Sequence, residues 1–450
     1  MTLLLVPHEI GQDRVQLWVG ALDEPGVAPA SLSVAVVGGP APTLVGQWDG
    51  IVGAGAHGVA FRRVTIDGLA PRGRYRFELR RDGTPVTDAT AIATTLPDRL
   101  PGLDERPFTI MLGSCFARAA DGAGNAGRAY SLLPADAQPD LKILCGDQVY
   151  LDQPTTEFLV HTHSADDLLE RHLANYAGAW SQTGGFRELL RSGGTYFSSD
   201  DHDFWNNAPN PTIIARDTWS KDGRDAWDIA ARRLYDAFQH PSAADPPVIR
   251  VGDLSVFVAD TRLDRTSGTD AFATDAQLTA IETWLAGLTG PGCLVVGQLM
   301  FSGRAGWRGR WMDWGLADYR TYDRLVRAIL AAEHSVVILT GDVHYGRVAV
   351  CERTPGRDIV EVVASPLALV APIPKNTWKP APTSFPDSAI PGIARRPVRT
   401  AEAFRLNVNQ FSTLAFSRSG SFVRMLVRAW PVETNGRLPV PSHAFEYWIS

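Results

Sequence analysis

Cysteine is scarce in this chain: Cys115, Cys145, Cys293 and Cys351 are the four among 450 residues. No two form a Cys-x-x-Cys pair, so a zinc ribbon is not expected. Four cysteines over this length make no disulfide scaffold either, and a reducing compartment is the simpler expectation. Basic charge is not in excess, the formal net charge being −6. Bulk nucleic-acid binding rewards a basic surface, so that partner is not expected. No segment is long and apolar enough to span a bilayer. The apolar opening Met1-Thr2-Leu3-Leu4-Leu5-Val6-Pro7 lacks a basic flank and runs into His8-Glu9-Ile10, so it reads as a first strand, not a signal peptide. A twin-arginine signal is also missing, and a cytoplasmic protein is expected. Internal repeats and low-complexity tracts are absent.

Apolar residues, by contrast, are plentiful at 45%. A chain this long buries a large core and is expected to divide into two units. Residues 1–104 read as all-β, with short alternating runs such as Val15–Val19, Leu32–Val37 and Tyr75–Leu79 between turns. Arg81-Asp82-Gly83 is a hairpin signal. A small immunoglobulin- or fibronectin-like β-sandwich is expected there, with a structural or docking role. Residues 105–450 alternate apolar strand runs with helical segments, which predicts an α/β catalytic domain. Thr274-Asp275-Ala276-Gln277 is a capping box before a helix that buries Leu278, Ile281, Trp284, Leu285 and Leu288. Tyr322, Leu325, Val326 and Ile329 mark a second amphipathic helix. Pro372 to Pro397 reads as a long surface loop, and Phe422–Val427 as a strand that rejoins a sheet.

The polar signals fall where apolar runs end. Thr109–Leu112 leads into Gly113-Ser114-Cys115, and Leu141–Cys145 into Gly146-Asp147-Gln148-Val149-Tyr150. Leu254–Val258 leads into Ala259-Asp260-Thr261-Arg262, and Val336–Thr340 into Gly341-Asp342-Val343-His344. A buried strand ending in Gly-Asp sets a carboxylate at the carboxyl edge of a sheet, where α/β folds collect ligands. Ser198-Ser199-Asp200-Asp201-His202-Asp203-Phe204-Trp205-Asn206-Asn207 is denser still. Asp and Asn favour plain surface turns, but the aromatic pair inside the run argues for burial. Buried carboxylates need counter-charge, and metal ions supply it. Alone, Asp147 reads as a helix cap and His344 as a bonded core histidine. Together these motifs supply oxygen and nitrogen donors for two adjacent cations, which can clamp a phosphate and activate water.

In this order and combination the motifs resemble those of the PhoD-like alkaline phosphatases, within the calcineurin-like metallophosphoesterase superfamily. The resemblance also takes in Gly297-Gln298 and Ala364-Ser365-Pro366 and runs over nearly the whole chain. It implies a four-layer αββα sandwich behind the N-terminal β-sandwich. It implies a phosphomonoesterase or phosphodiesterase acting on a small phosphate ester. It further implies a mixed site of ferric iron, bound by thiolate and tyrosinate, with one or two calcium ions; other divalent metals are alternatives. By this likeness Asp147 bridges the metals, and Cys115, Tyr150 and His344 complete the iron side, with Asp342 also in the metal shell. Asp201 and Asn206 serve the second metal, and His202 sits beside the phosphate. Arg262 is a candidate phosphate clamp, the alternative being a structural ion pair with Asp260 or Asp264. The sequence departs from secreted members in lacking a twin-arginine signal, which speaks against extracellular phosphate scavenging. Ser302 to Trp314 looks trimmed or divergent, and its Trp307, Trp311 and Trp314 line a substrate pocket or belong to the core.

Three other readings stay open. One is a phosphodiesterase specific for nucleotides or phospholipid headgroups, which would use the same two-metal clamp. Another is a non-catalytic metal-containing binding protein, which the intact Cys115, Asp147, Tyr150, His202 and His344 argue against. The third is a β-sandwich interaction protein with a structural metal, a poor match to open donors at strand ends.

Overall fold

Alternating apolar residues in the first hundred positions fold into two four-stranded antiparallel sheets. One orders the strands Thr2–Ile10, Val15–Leu22, His57–Ile66 and Gly50–Ala54; the other orders Thr43–Leu44, Leu32–Val36, Arg74–Arg81 and Thr84–Thr94. Arg74–Arg81 and Thr84–Thr94 are joined at Asp82 and Gly83, with φ of 48° and 78°. Two successive positive φ angles match the right-handed twist of a tight hairpin, as the Asp-Gly pair predicts. The structure is a computed structural model. It describes the chain except residues 1, 24–25, 40, 55–56, 123, 240–245, 310–312, 355, 370–377 and 433–439.

The second half carries a six-stranded and an eight-stranded sheet. In the six-stranded sheet Phe108–Gly113, Leu141–Cys145 and Gly194–Ser198 run parallel, and Gln410–Ser419 returns antiparallel beside Phe108–Gly113. Phe422–Pro431 pairs with Gln410–Ser419, so the tail does rejoin a sheet. In the eight-stranded sheet Leu254–Val258, Gly292–Val295, Val336–Thr340 and Ile359–Val363 are parallel neighbours. The inner faces of the two sheets meet in one apolar core, Ile110, Leu112 and Ile143 from one and Val256, Val337 and Leu339 from the other. Helices Ala165–Ser181 and Lys221–Phe238 cover the outside of the six-stranded sheet through Leu173, Trp180, Leu234 and Phe238. Helices Asp275–Ala286 and Tyr322–Ala331 cover the eight-stranded one. This is the expected four-layer αββα sandwich. Thr274 caps its helix as the sequence implies, with Oγ1 accepting from the Gln277 N–H.

One expectation changes. Pro372 to Pro397 is not loop throughout: Ser384–Phe385 pairs with Arg396–Leu406 at the sheet edge, and Phe385 is buried. Residues 370–377 of that stretch lie outside the described ones. The core that holds Ile110 and Val337 also runs without a break into Leu17 and Leu79 of the N-terminal sandwich.

Trp18 is the peg between the two halves. Its indole is fully buried against Trp180 and Phe238, and Nε1 donates to the Ala237 carbonyl at 2.7 Å. Gly20 makes room for it, since a Cβ there would come within 1.9 Å of the ring. Trp18→Ala is expected to cost about 3–5 kcal/mol, the range for removing a large buried aromatic. The check is the denaturant midpoint of the full chain; an unmoved midpoint would mean that the halves are not held together here.

Candidate metal centre

The parallel strands of both sheets end on one edge of the sandwich, and the turns beyond them bring the polar motifs together. Gly146, at φ 95°, is needed in its turn because a Cβ there would stand 2.4 Å from that of Asp200. Several site residues adopt left-handed backbone without being glycine: Cys115 at φ 57°, Asp147 at 56°, Asp342 at 66° and His344 at 57°. Such conformations carry strain of order 1–3 kcal/mol each and persist only where the surroundings enforce them.

Ligand atoms of Cys115, Asp147 and His344 lie within 4.8 Å of one another. The same spacing links Asp147, Asp201 and His202, and also Asp200, Asp201 and Asp342. Asp147 belongs to the first two groups and Asp201 to the last two. Cys115 Sγ sits 3.4 Å from Asp147 Oδ2 and 3.4 Å from the Asp342 carbonyl. Tyr150 Oη is buried with no hydrogen-bond partner among the described residues. An orphaned phenol of this kind requires an explanation, and ligation to a cation would provide one.

The electrostatics agree with that fit. Burial first, then Asp147 and Asp342, push the Cys115 thiol well up. Burial, then Cys115 and Asp147, do the same to Tyr150. Asp147 and Asp342 are raised by burial and by the other carboxylates around them. Burial lowers His344 to about 4, which keeps its imidazole neutral and able to ligate. Without a cation these groups all resist ionisation. A bound cation inverts that logic and draws the protons off.

His202 is built differently. Its backbone N–H donates to Asp147 Oδ1 at 3.0 Å, and its ring stacks on Tyr150 with centroids 4.2 Å apart. Nδ1 lies 2.9 Å from both carboxylate oxygens of Asp152, which is fully buried. Burial opposes charge on the ring, but Asp152, Asp201 and Asp147 outweigh it and raise His202 well above its ordinary value. Asp152 thereby fixes Nδ1 as a donor and leaves Nε2 for another partner. Sequence reasoning missed Asp152, although it stands only two residues beyond Tyr150; the one available signal was a third polar residue in Asp147-Gln-Val-Tyr-Leu-Asp152.

Arg262 is almost fully buried, and its donors are taken by the protein. Nε donates to Asp200 Oδ1 at 2.7 Å, Nη1 to the Ala208 carbonyl, and Nη1 and Nη2 together to the Asp313 carboxylate. The ion-pair partners are Asp200, Asp313 and, at 3.6 Å, Asp201, none of them the Asp260 or Asp264 expected from sequence. Asp260 instead accepts from the backbone of Ser199 and of Arg262 and from the Tyr235 hydroxyl, which ties the loops together. Asn206 reaches the site through its backbone, which donates to Asp152, while its Oδ1 accepts from Thr212 Oγ1 at 3.0 Å. Asp203, also missed as an organiser, accepts from the backbone N–H groups of Asp147, Gln148 and Asp200. Phe204 and Trp205 are buried, as the aromatic pair suggested. Of the tryptophan-rich stretch, Trp307 is exposed, Trp314 is half-buried with Nε1 on the Gly306 carbonyl, and Trp311 lies outside the described residues.

No family model and no curated protein matches this sequence. Among solved structures, that of PhoD superposes with a TM-score of 0.64 at 16% identity, covering 98% of this chain and 89% of that one. A purple acid phosphatase from yellow lupin (Lupinus luteus) seeds superposes with a TM-score of 0.57 at 13% identity, covering 98% of this chain and 73% of that one. At such identities the likeness establishes the fold, which is the one that PhoD and the lupin enzyme share with this chain.

Proposed function

We propose that this chain, on its PhoD-like fold, is a metal-dependent hydrolase of phosphate monoesters or diesters. The observation that carries the reading is the convergence of Cys115, Asp147 and His344, with Tyr150 packed against Cys115 and its buried hydroxyl unpartnered among the described residues, beside Asp201 and Asp342. Thiolate, phenolate and imidazole suit ferric iron, and the carboxylates suit calcium. Cys115, Asp147, Tyr150 and His344 would hold the iron. Asp201, Asp342 and Asn206 would hold calcium, with Asp147 between. Such cations, when bound, act as Lewis acids on phosphoryl oxygens and activate water.

The protein's own groups do the rest. His202, charged by its pairing with Asp152, presents Nε2–H to the phosphoryl or leaving-group oxygen. Arg262 orients Asp200 and Asp201 in preference to gripping the phosphate, because a substrate could reach its Nη atoms only by displacing Asp313. Aligned in this way, the carboxylates present their oxygens to cations without reorganising.

Elemental analysis of protein never exposed to chelator, paired with a panel of monoesters and diesters, tests the reading. The donor types predict about one iron and one or two calcium ions per chain, with hydrolysis of one ester class or both. Stoichiometric zinc without iron would sink the iron assignment and leave the hydrolase standing. Fully metallated protein inert towards every ester would sink the hydrolase.

A further inference from the structure

Ala364-Ser365-Pro366 is a motif whose part in the site the proposed reaction leaves unassigned. Ser365 follows the strand Ile359–Val363 and is fully buried. Its Oγ lies 3.2 Å from Cys115 Sγ and 3.2 Å from the backbone nitrogen of His344. We infer that Ser365 is a positioning residue that ties Cys115 to His344 through one hydroxyl and, by donating to the thiolate, sets how strongly that sulfur gives electron density to a ferric ion. The inference rests on the iron assignment above.

The direction of these bonds is forced. A backbone N–H can only donate, so the His344 contact occupies a lone pair of Ser365 Oγ. The single hydroxyl proton is then free, and Cys115 Sγ stands in its path. A second serine is close, with Ser114 Oγ 3.5 Å from the same sulfur. Its proton, however, has an oxygen acceptor nearer at hand, the Ala364 carbonyl at 3.2 Å. Cys115 is fully buried, so water does not compete. Ser365 is therefore the O–H donor to this sulfur. Its own backbone is held apart from the side chain, because Gln410 Nε2 donates to the Ser365 carbonyl and the Gln410 N–H to the Pro366 carbonyl. Loss of the hydroxyl leaves that anchor in place.

Hydrogen bonds to metal-bound sulfur are one of the protein's means of tuning such sites. A donor withdraws electron density from the thiolate, which moves the sulfur-to-iron charge-transfer band to higher energy and favours the ferrous over the ferric state. Without the donor, the band should move to longer wavelength and the reduction potential should fall.

The test uses iron-loaded full-length protein carrying Tyr150→Phe, so that thiolate is the remaining charge-transfer donor. In that background Ser365→Ala should red-shift the visible band at unchanged iron content. The Fe–S stretch in resonance Raman should shift in D2O when Ser365 is present and lose that sensitivity in Ser365→Ala. Ser365→Thr, which keeps a hydroxyl, should restore both signals, and Ser114→Ala should leave both alone. A band unmoved by Ser365→Ala, or moved equally by Ser114→Ala, would overturn the assignment. The parent protein with Ser365 intact gives a check that needs no change at this position, and an Fe–S stretch indifferent to D2O there overturns it too. Iron-free, colourless protein would overturn the iron assignment and this inference together, whereas coloured protein with an indifferent Fe–S stretch would overturn Ser365 alone.

Discussion

Asp147→Asn should lose bound metal and catalysis together. Asp147 is almost fully buried, and its two oxygens face different partners. Oδ1 accepts from the His202 N–H at 3.0 Å, and Oδ2 lies toward Cys115 at 3.4 Å. Asparagine has the same shape, so the fold should stand, but its amide cannot turn either way at will. An NH2 facing the His202 N–H would set donor against donor, so the amide oxygen stays there and the NH2 turns to Cys115. The iron side then loses its carboxylate oxygen and gains a group with no lone pair for a metal. The pair of cations also loses a full negative charge between them. Metal assistance is worth several kcal/mol of barrier, and each 1.36 kcal/mol is tenfold in rate, so kcat/KM should fall about a thousandfold or more. Elemental analysis and kinetics on the same preparation decide it. A variant with full metal and full activity would remove Asp147 from the bridging position.

His202→Ala should divide substrates by leaving group. With Nδ1 bound to the fully buried Asp152, the partly exposed imidazole has Nε2 to offer. If it donates a proton to the departing oxygen, a poor alkoxide leaving group should lose on the order of a hundred- to ten-thousandfold in rate, the usual range for general acid catalysis. An activated aryl ester, whose oxide leaves unaided, should lose far less. Asp152→Asn should follow the same pattern more mildly, about ten- to a hundredfold, as expected for a partner that orients a working group. Equal losses on both esters with metals retained would assign His202 to phosphate binding instead. No loss on either would leave it a loop-holding residue, its N–H on Asp147 being its whole contribution.

Much of this centre was legible in the residues. Gly146-Asp147 and Gly341-Asp342 close buried apolar strands, and a glycine before an acid at such an end is a local feature that needs no partner to be recognised. Phe204 and Trp205 inside a run of acids announced burial for the same local reason. The Thr274 capping box and the helix after it were also local. Arg262 was legible as an ion-pairing residue but not in its partners. It stands near Asp260 and Asp264 in sequence, yet it binds Asp200 and Asp313, 62 and 51 positions away. Asn206, expected as a metal ligand, has its backbone N–H on Asp152 and its amide oxygen bonded to Thr212.

By itself, then, the pattern of residues determined the α/β class and the edge, while the four layers were what the family resemblance implied. Periodicity decides which faces are apolar, apolar faces must be buried against one another, and the parallel strands Leu141–Cys145 and Val336–Thr340, each followed by Gly-Asp, deliver their acids to the carboxyl edge. Only the tertiary structure decided the pairings across that edge. The distance from Asp152 to His202, or from Ser365 to Cys115 250 positions away, depends on how two sheets stack and where their turns fall, and no local pattern records it. The left-handed backbone of Cys115, Asp147, Asp342 and His344 was decided there as well. Asp and His enter that region more readily than most residues, but the sequence does not say which of them do, and the conformation persists only where the surrounding structure enforces it.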